Sequence, residues 1–238
     1  MTRRTHRLTM LATAALALSL TACGGGSESS STVTVTHTRS PEQQALTNDQ
    51  VVAALPTRED APNGFRPDDA GFTPSTDSER STSPKPCIAL YMQTEEMRDF
   101  RTAHLGAQES VKYVGPSQEF GTPSTSVVVW SHDEPYPSDF FDEAGAALGD
   151  CKRHTSKLSA ESAEVEWTAA SIPTPTLGDQ SFGVRIGQPE YNLAVDYLWV
   201  RSGHNLIHVR IDSEHGANND AELKKYAQGV LDELKKQT

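Results

Sequence analysis

Chemistry in this 238-residue chain is concentrated in two apolar segments, 193–201 and 204–211, separated by Ser202-Gly203. That dipeptide between β-branched and aromatic runs predicts a hairpin. A two-residue turn there pairs Arg201 with His204, Trp199 with Leu206, Tyr197 with His208, and Val195 with Arg210. Leu198, Val200, Ile207, Val209 and Ile211 then share the opposite face, which faces the core under the helices. If Phe182, Val184 and Ile186 of the preceding strand face that same core, Arg185 joins the aromatic side. The candidate ligand-binding set is therefore Arg185, Tyr197, Trp199, His208 and Arg210. Stacking on Trp199 and Tyr197, with hydrogen bonds from Arg or His, suits an anionic or sugar-like ligand. The same pattern also describes a solvated or loop-covered face held by cross-strand pairs.

Other chemistries are not supported. His204 and His208 lie four apart on a strand, roughly 13 Å, too far to chelate one ion. In His132-Asp133-Glu134 adjacent side chains point apart, so no metal site and no cofactor is expected. Residues 178–183 read GDQSFG and miss the GxSxG nucleophile elbow by one residue. No P-loop, HExxH or dinucleotide fingerprint is present. Asp139, Asp142 and Glu143 open a helix, where the dipole accounts for them without catalysis. The expectation is a protein that is not an enzyme.

A different chemistry sits at the N-terminus. Arg3, Arg4 and Arg7 precede an apolar run from Leu8 to Leu20, the layout of a secretory signal peptide. The run is too short to span a bilayer, which needs ~20 residues. Leu20-Thr21-Ala22-Cys23 resembles a bacterial lipobox, which implies cleavage before Cys23 and acylation of its thiol and new amino group. Each buried methylene adds about 0.8 kcal/mol, so two or three chains, palmitate among them, anchor stably. Membrane lipid is thus the first expected partner, on the extracytoplasmic face of the cell membrane. Arg3-Arg4 leaves general secretory and twin-arginine export both open.

Loss of residues 1–22 leaves 18 basic against 32 acidic residues, a net charge of −14. Such acidity excludes nucleic acid as a partner and disfavours docking on anionic lipid. Cys87 and Cys151 then remain, and an even pair in an oxidising compartment predicts a disulfide, with two free thiols as the alternative. It closes a loop of about 65 residues, worth roughly 4 kcal/mol in the chain-entropy model.

The elements around these residues follow from period and punctuation. Residues 23–44, rich in Gly, Ser and Thr, form a flexible tether, and a folded domain spans 45–238. Thr47 caps a helix with Gln50 at its third position, and Pro56 stops it. Residues 66–86 read as a long surface loop, and Cys87 opens a helical stretch. Strands are expected at 111–115, 126–131, 164–171 and 181–187, besides the hairpin. A helix starts at Ser138 or Asp139, ends at Gly149 and places Cys151 just beyond. An amphipathic helix over 220–236 closes the chain on Leu223, Tyr226, Ala227, Val230, Leu231 and Leu234. Hairpins without helical crossovers predict a single α+β domain, an antiparallel sheet packed by helices.

This order of features resembles a known family. The segment from Ala54 to Phe65, Cys87, Gly178-Asp179, Arg185, Val200-Arg201-Ser202-Gly203 and the final helix are similar to actinobacterial cell-envelope lipoproteins related to the PknH-like extracellular sensor domain of receptor Ser/Thr kinases. The likeness covers roughly 44–238. It implies a central antiparallel sheet, disulfide support, a cleft for a small molecule and no catalytic residues. One disulfide stands here where the kinase domains carry two, and no kinase domain follows. The functional expectation is a lipid-anchored, non-catalytic binding or sensing module for a small-molecule or cell-wall ligand. The alternatives are a protein that docks an envelope protein partner and a hydrolase of envelope polymer.

Overall fold

The strand around Val127, Val128 and Val129 decides the architecture. Side chains alternate along a strand, so three consecutive valines make both its faces apolar, and both must be covered. In the computed structural model, which describes residues 40–68, 78–119 and 121–237, all nine residues of Ser124–His132 are buried. The signal segment, Cys23 and the tether up to residue 39 lie outside the described residues, as do residues 69–77.

The strands are β1 (Arg66–Pro67), β2 (Ser81–Ser83), β3 (Leu105–Val114), β4 (Ser124–His132), β5 (Arg153–Lys157), β6 (Val165–Ser171), β7 (Gln180–Gln188), β8 (Leu193–Ser202) and β9 (Asn205–Glu214). They form one sheet in the order β1-β3-β4-β9-β8-β7-β6-β5-β2, with every neighbouring pair antiparallel. Helices α1 (Asn48–Ala54) and α4 (Asp220–Leu234) cover one face. A 3₁₀ segment, Lys85–Tyr91, with α2 (Glu95–His104) and α3 (Asp139–Asp150), covers the other. The fold is a single α+β domain, as the sequence predicts. Its helices lie on both faces of the sheet.

Local sequence fixes the covers. The Thr47 hydroxyl accepts from the Gln50 N–H while the Gln50 side chain accepts from the Thr47 N–H, closing the capping box that starts α1. All six apolar residues expected on the stripe of α4 are buried. Phe140, Phe141, Ala144 and Ala147 of α3 face the sheet, and Gly149 lies inside that helix, with Cys151 as its C-cap. A disulfide joins Cys87 to Cys151, tying the 3₁₀ segment to the end of α3.

Several boundaries differ from the expectation. The helical stretch at Cys87 is two elements, because Met92 adopts a left-handed conformation (φ 52°) and Thr94 then caps α2. Residues 153–157 form β5, and 66–86 contribute β1 and β2. The fold also begins earlier than residue 45. Asn205 Nδ2 donates to the carbonyls of Glu42 and Gln44, and the Gln43 carbonyl accepts from the His204 N–H.

The hairpin register is a further correction. Trp199 pairs with His208, Tyr197 with Arg210 and Ser202 with Asn205, a slip of two residues from the predicted pairing. The turn is Gly203-His204, and Gly203 takes φ 55°. A two-residue turn with a positive φ at its first central position needs glycine there, which moves the turn one residue along. A slip of two preserves faces, so Leu198, Val200, Ile207, Val209 and Ile211 do lie together beneath α4.

Candidate functional site

β4, β9 and β8 are adjacent strands in the interior of the sheet, and their second face gathers aromatic and histidine side chains. The His208 ring stacks on Trp199 at 3.8 Å between centroids and on Tyr197 at 5.6 Å. Trp130 from β4 lies 6.0 Å from both Trp199 and His208, and its indole N–H donates to Gln108 Oε1 at 2.8 Å. Period-two geometry puts 197 and 199 on one side, and the corrected register sets His208 opposite Trp199.

The sequence-predicted residues divide as follows. Tyr197, Trp199 and His208 are brought together and are all buried, beneath the 3₁₀ segment, α2 and α3. Arg210 stands on the same face at the edge of this stack, 5.8 Å from the Tyr197 ring centre, and is bonded through Nη2 to Asp212 Oδ1 at 2.7 Å. Arg185 is on the other face. Phe182, Val184 and Ile186 pack into the aromatic core, not under α4, so their neighbour points away from it. There it grips Asp196 with two hydrogen bonds of 2.6 Å and donates to the carbonyls of His215 and Ala217. Asp196 is fully buried, and Arg185 is its counter-ion. This arginine is a structural clamp between β7, β8 and the start of α4.

The Gly178-Asp179 and Arg201-Ser202-Gly203 motifs are likewise structural. Asp179 Oδ2 accepts from the Gly203 N–H at 2.7 Å and from Arg201 Nη1, and Oδ1 accepts from Gln43 Nε2. Any Cβ at Gly203 would lie 2.1 Å from the Gln43 carbonyl oxygen, so glycine here serves both the turn and the docking of residues 41–43.

Sequence reasoning missed Arg101 and Tyr136 and weighed His132 only as a metal ligand, yet all three extend the aromatic face under α2. Arg101 is 1% exposed and donates through Nη1 to the Met92 carbonyl at 2.8 Å. His132 and Tyr136 are fully buried, with ring centroids 5.3 Å apart, and Phe100 packs against both. The available signal was an arginine at i+1 and i+4 from Phe100 and Met97, inside an apolar helical stripe.

The electrostatics of this region are uneven. Burial pushes His132 down to about 4, partly opposed by the His204 carbonyl and reinforced by Arg101. The His132 Nδ1–H donates to that carbonyl, so Nε2 of the neutral ring is a bare acceptor. Burial, then Arg210 and Arg101, hold His208 well below its ordinary value. Burial raises Tyr136, against the pull of Arg101. Five buried polar atoms here have no protein partner: Arg101 Nη2, His132 Nε2, Tyr136 OH, Trp199 Nε1 and His208 Nε2. Such atoms are rare in folded proteins, and each one needs an explanation.

On the opposite side of the sheet, a cleft of about 410 Å³ opens between α1 and α4, lined by Leu55, Pro56, Asp60, Tyr226 and Val230 among others. A shallower groove of about 700 Å³ lies between Lys85–Ile88, the start of α2 and Glu143 of α3. Among the described residues no group of three His, Cys, Asp or Glu side chains is placed to hold a metal ion. No helix among them is long and apolar enough to cross a membrane.

No family model matches the chain, and no curated protein matches it. Among solved structures, an uncharacterized protein from Mycobacterium smegmatis aligns at 11% identity and a TM-score of 0.41, over 82% of this chain and 99% of that one. The extracellular domain of PknH from Mycobacterium tuberculosis aligns at 14% identity and a TM-score of 0.60, over 82% of this chain and 100% of that one. The described domain therefore has the fold of the PknH extracellular domain.

Proposed function

We propose that this chain is a lipid-anchored, non-catalytic module of the extracytoplasmic membrane face, and that its domain binds or senses a small-molecule or cell-wall ligand. The observation that carries the reading is a fold shared with an extracellular domain, in a chain whose first 23 residues read as an export signal ending in a lipobox. The Tyr197–His208–Trp199 stack, with Arg210 at its edge, remains the favoured binding face, while Arg185 is committed to Asp196. Because that face is covered, a ligand reaches it from the Arg210 edge or by movement of the disulfide-tied cover. Acylation is tested by feeding cells an alkyne analogue of palmitate. Label on the parent and none on a Cys23→Ala chain supports the anchor, and equal label on both overturns it. Joint replacement of Trp199 and Arg210 abolishes ligand retention if this face is the site. Retention by that variant would move the site to the α1–α4 cleft.

A further inference from the structure

We propose that the cover over the aromatic face is a pH-sensitive gate, which opens along the groove between α2 and the disulfide-tied pair of the 3₁₀ segment and α3. The cover is built in two parts. The Cys87–Cys151 bond makes the 3₁₀ segment and the end of α3 one unit. His154 of β5 pins that unit to the sheet, through the Tyr91 hydroxyl at 2.8 Å and the Cys151 carbonyl at 3.2 Å. α2 is the other part. Among the described residues no hydrogen bond or ion pair joins α2 to the 3₁₀ segment or to α3, and the ring contact between the helices is Phe100 against Phe140, 6.0 Å between centroids. The chain crosses from one part to the other at Met92, which is fully buried and left-handed at φ 52°. A residue with a Cβ keeps that conformation only where its surroundings fix it. Here Arg101 Nη1 donates to the Met92 carbonyl and Arg98 Nη1 to that of Gln93, both at 2.8 Å, so the junction is held by α2 and serves as its hinge.

The groove of about 700 Å³ is the seam between the two parts. Its charged residues are Lys85 of the 3₁₀ segment, Glu143 of α3, and Glu95, Glu96 and Asp99 of α2. Three carboxylates on one side thus face a fourth on the other, with a single lysine among them. Burial, and then Glu96, raises Glu143 above the ordinary carboxylate value. A group that binds its proton more tightly when the seam is closed favours closure in acid, and that preference is lost as pH rises through its titration. Opening therefore gains toward neutral pH. Parting of the seam lifts α2 from the aromatic face, because Phe100 packs on His132 and Tyr136, Met97 lies in one core cluster with Trp130 and Trp199, and the Arg101 charge acts on His208. What the gate admits rests on the proposed function, whereas its opening does not.

The test reads the covered tryptophans. Of the three in the chain, Trp130 and Trp199 lie beneath the cover, so a Trp167→Phe chain reports on them alone. Acrylamide quenching of that full chain in detergent is followed from pH 5 to pH 7. The quenching constant should rise about twofold with pH, the ratio that one like-charge contact at an exposed site produces. Added to the same chain, Glu143→Gln should hold the constant at its acid value throughout, and Glu96→Gln should reduce the rise. Both side chains are at the surface, so neither change disturbs folding. A constant that stays flat, or that rises equally in the Glu143→Gln chain, would overturn the gate. So would a constant that falls as pH rises, which is the signature of acid unfolding through His132. A gate that opens as described in a chain that retains no ligand would sink the binding reading and leave the gate standing.

Discussion

His132 makes the domain acid-labile by a calculable amount. Its ring is fully buried and its pKa is held at about 4, against 6.5 for the free side chain. A folded-state pKa below the unfolded one means that the unfolded chain takes up the proton first. Stability is therefore lost as pH falls below 6.5, and the loss levels off near pH 4. Integrated between pH 7 and pH 4.5, this one residue accounts for about 2 kcal/mol of destabilisation. His208 and His154, both depressed by burial, add in the same direction, while burial and Glu96 raise Glu143, which works against them. The His132 contribution is isolated by a variant. His132→Asn keeps a side-chain N–H near the position of Nδ1, and so keeps the bond to the His204 carbonyl, but cannot titrate. Urea unfolding followed by tryptophan fluorescence at pH 7 and pH 4.5 gives the loss for each protein. The parent should lose about 2 kcal/mol more than His132→Asn. Equal losses would refute the reasoning, because they would mean that His132 is protonated in the folded state or exposed.

Further outcomes follow from the same geometry. Asp196→Asn leaves Arg185 without its counter-ion beneath β8 and should cost about 3 kcal/mol, read from the urea midpoint. Trp199→Ala removes the ring on which His208 stacks and should cost about 4 kcal/mol by the same assay. Replacing Cys87 and Cys151 together by Ser opens a loop spanning 64 positions and should cost about 4 kcal/mol, with faster amide exchange in the Lys85–Tyr91 segment and α3 than in α4. Gly203→Ala should displace residues 41–43 from the hairpin, seen as earlier proteolysis near Gln43.

The parts of the fold legible in the sequence were those with an uninterrupted period. The stripe of α4 and the alternation of β8 and β9 state their own faces, and the valine run of β4 carries the information that both faces are buried. The register of β8 against β9 was not legible by counting, because Ser202-Gly203 and Gly203-His204 are both two-residue turns. The demand that glycine take the first central position decides between them. α2 was hidden because Ile88, Tyr91, Met92 and Glu95 keep helical spacing across the junction, so two elements read as one helix, and the left-handed Met92 that divides them has no signal in its residue type. The aromatic triad of the candidate face was readable from alternation, whereas Arg101 comes from α2, distant in sequence, and its charge reaches His208 only through the three-dimensional fold. Arg185 was misplaced because β7 is apolar at alternate positions with glycines between them, and that pattern does not say which face of the sheet it joins.

The central claim, a domain that holds a ligand, is tested most directly by native mass spectrometry of residues 38–238, exported and purified without denaturation. That span includes the docked residues 41–43. The account predicts a stoichiometric extra mass that vanishes on denaturation and is missing from the Trp199/Arg210 double variant, together with a gain of two mass units when the Cys87–Cys151 bridge is reduced. A bare polypeptide mass, unchanged after incubation with envelope extract, would contradict it and favour a docking protein.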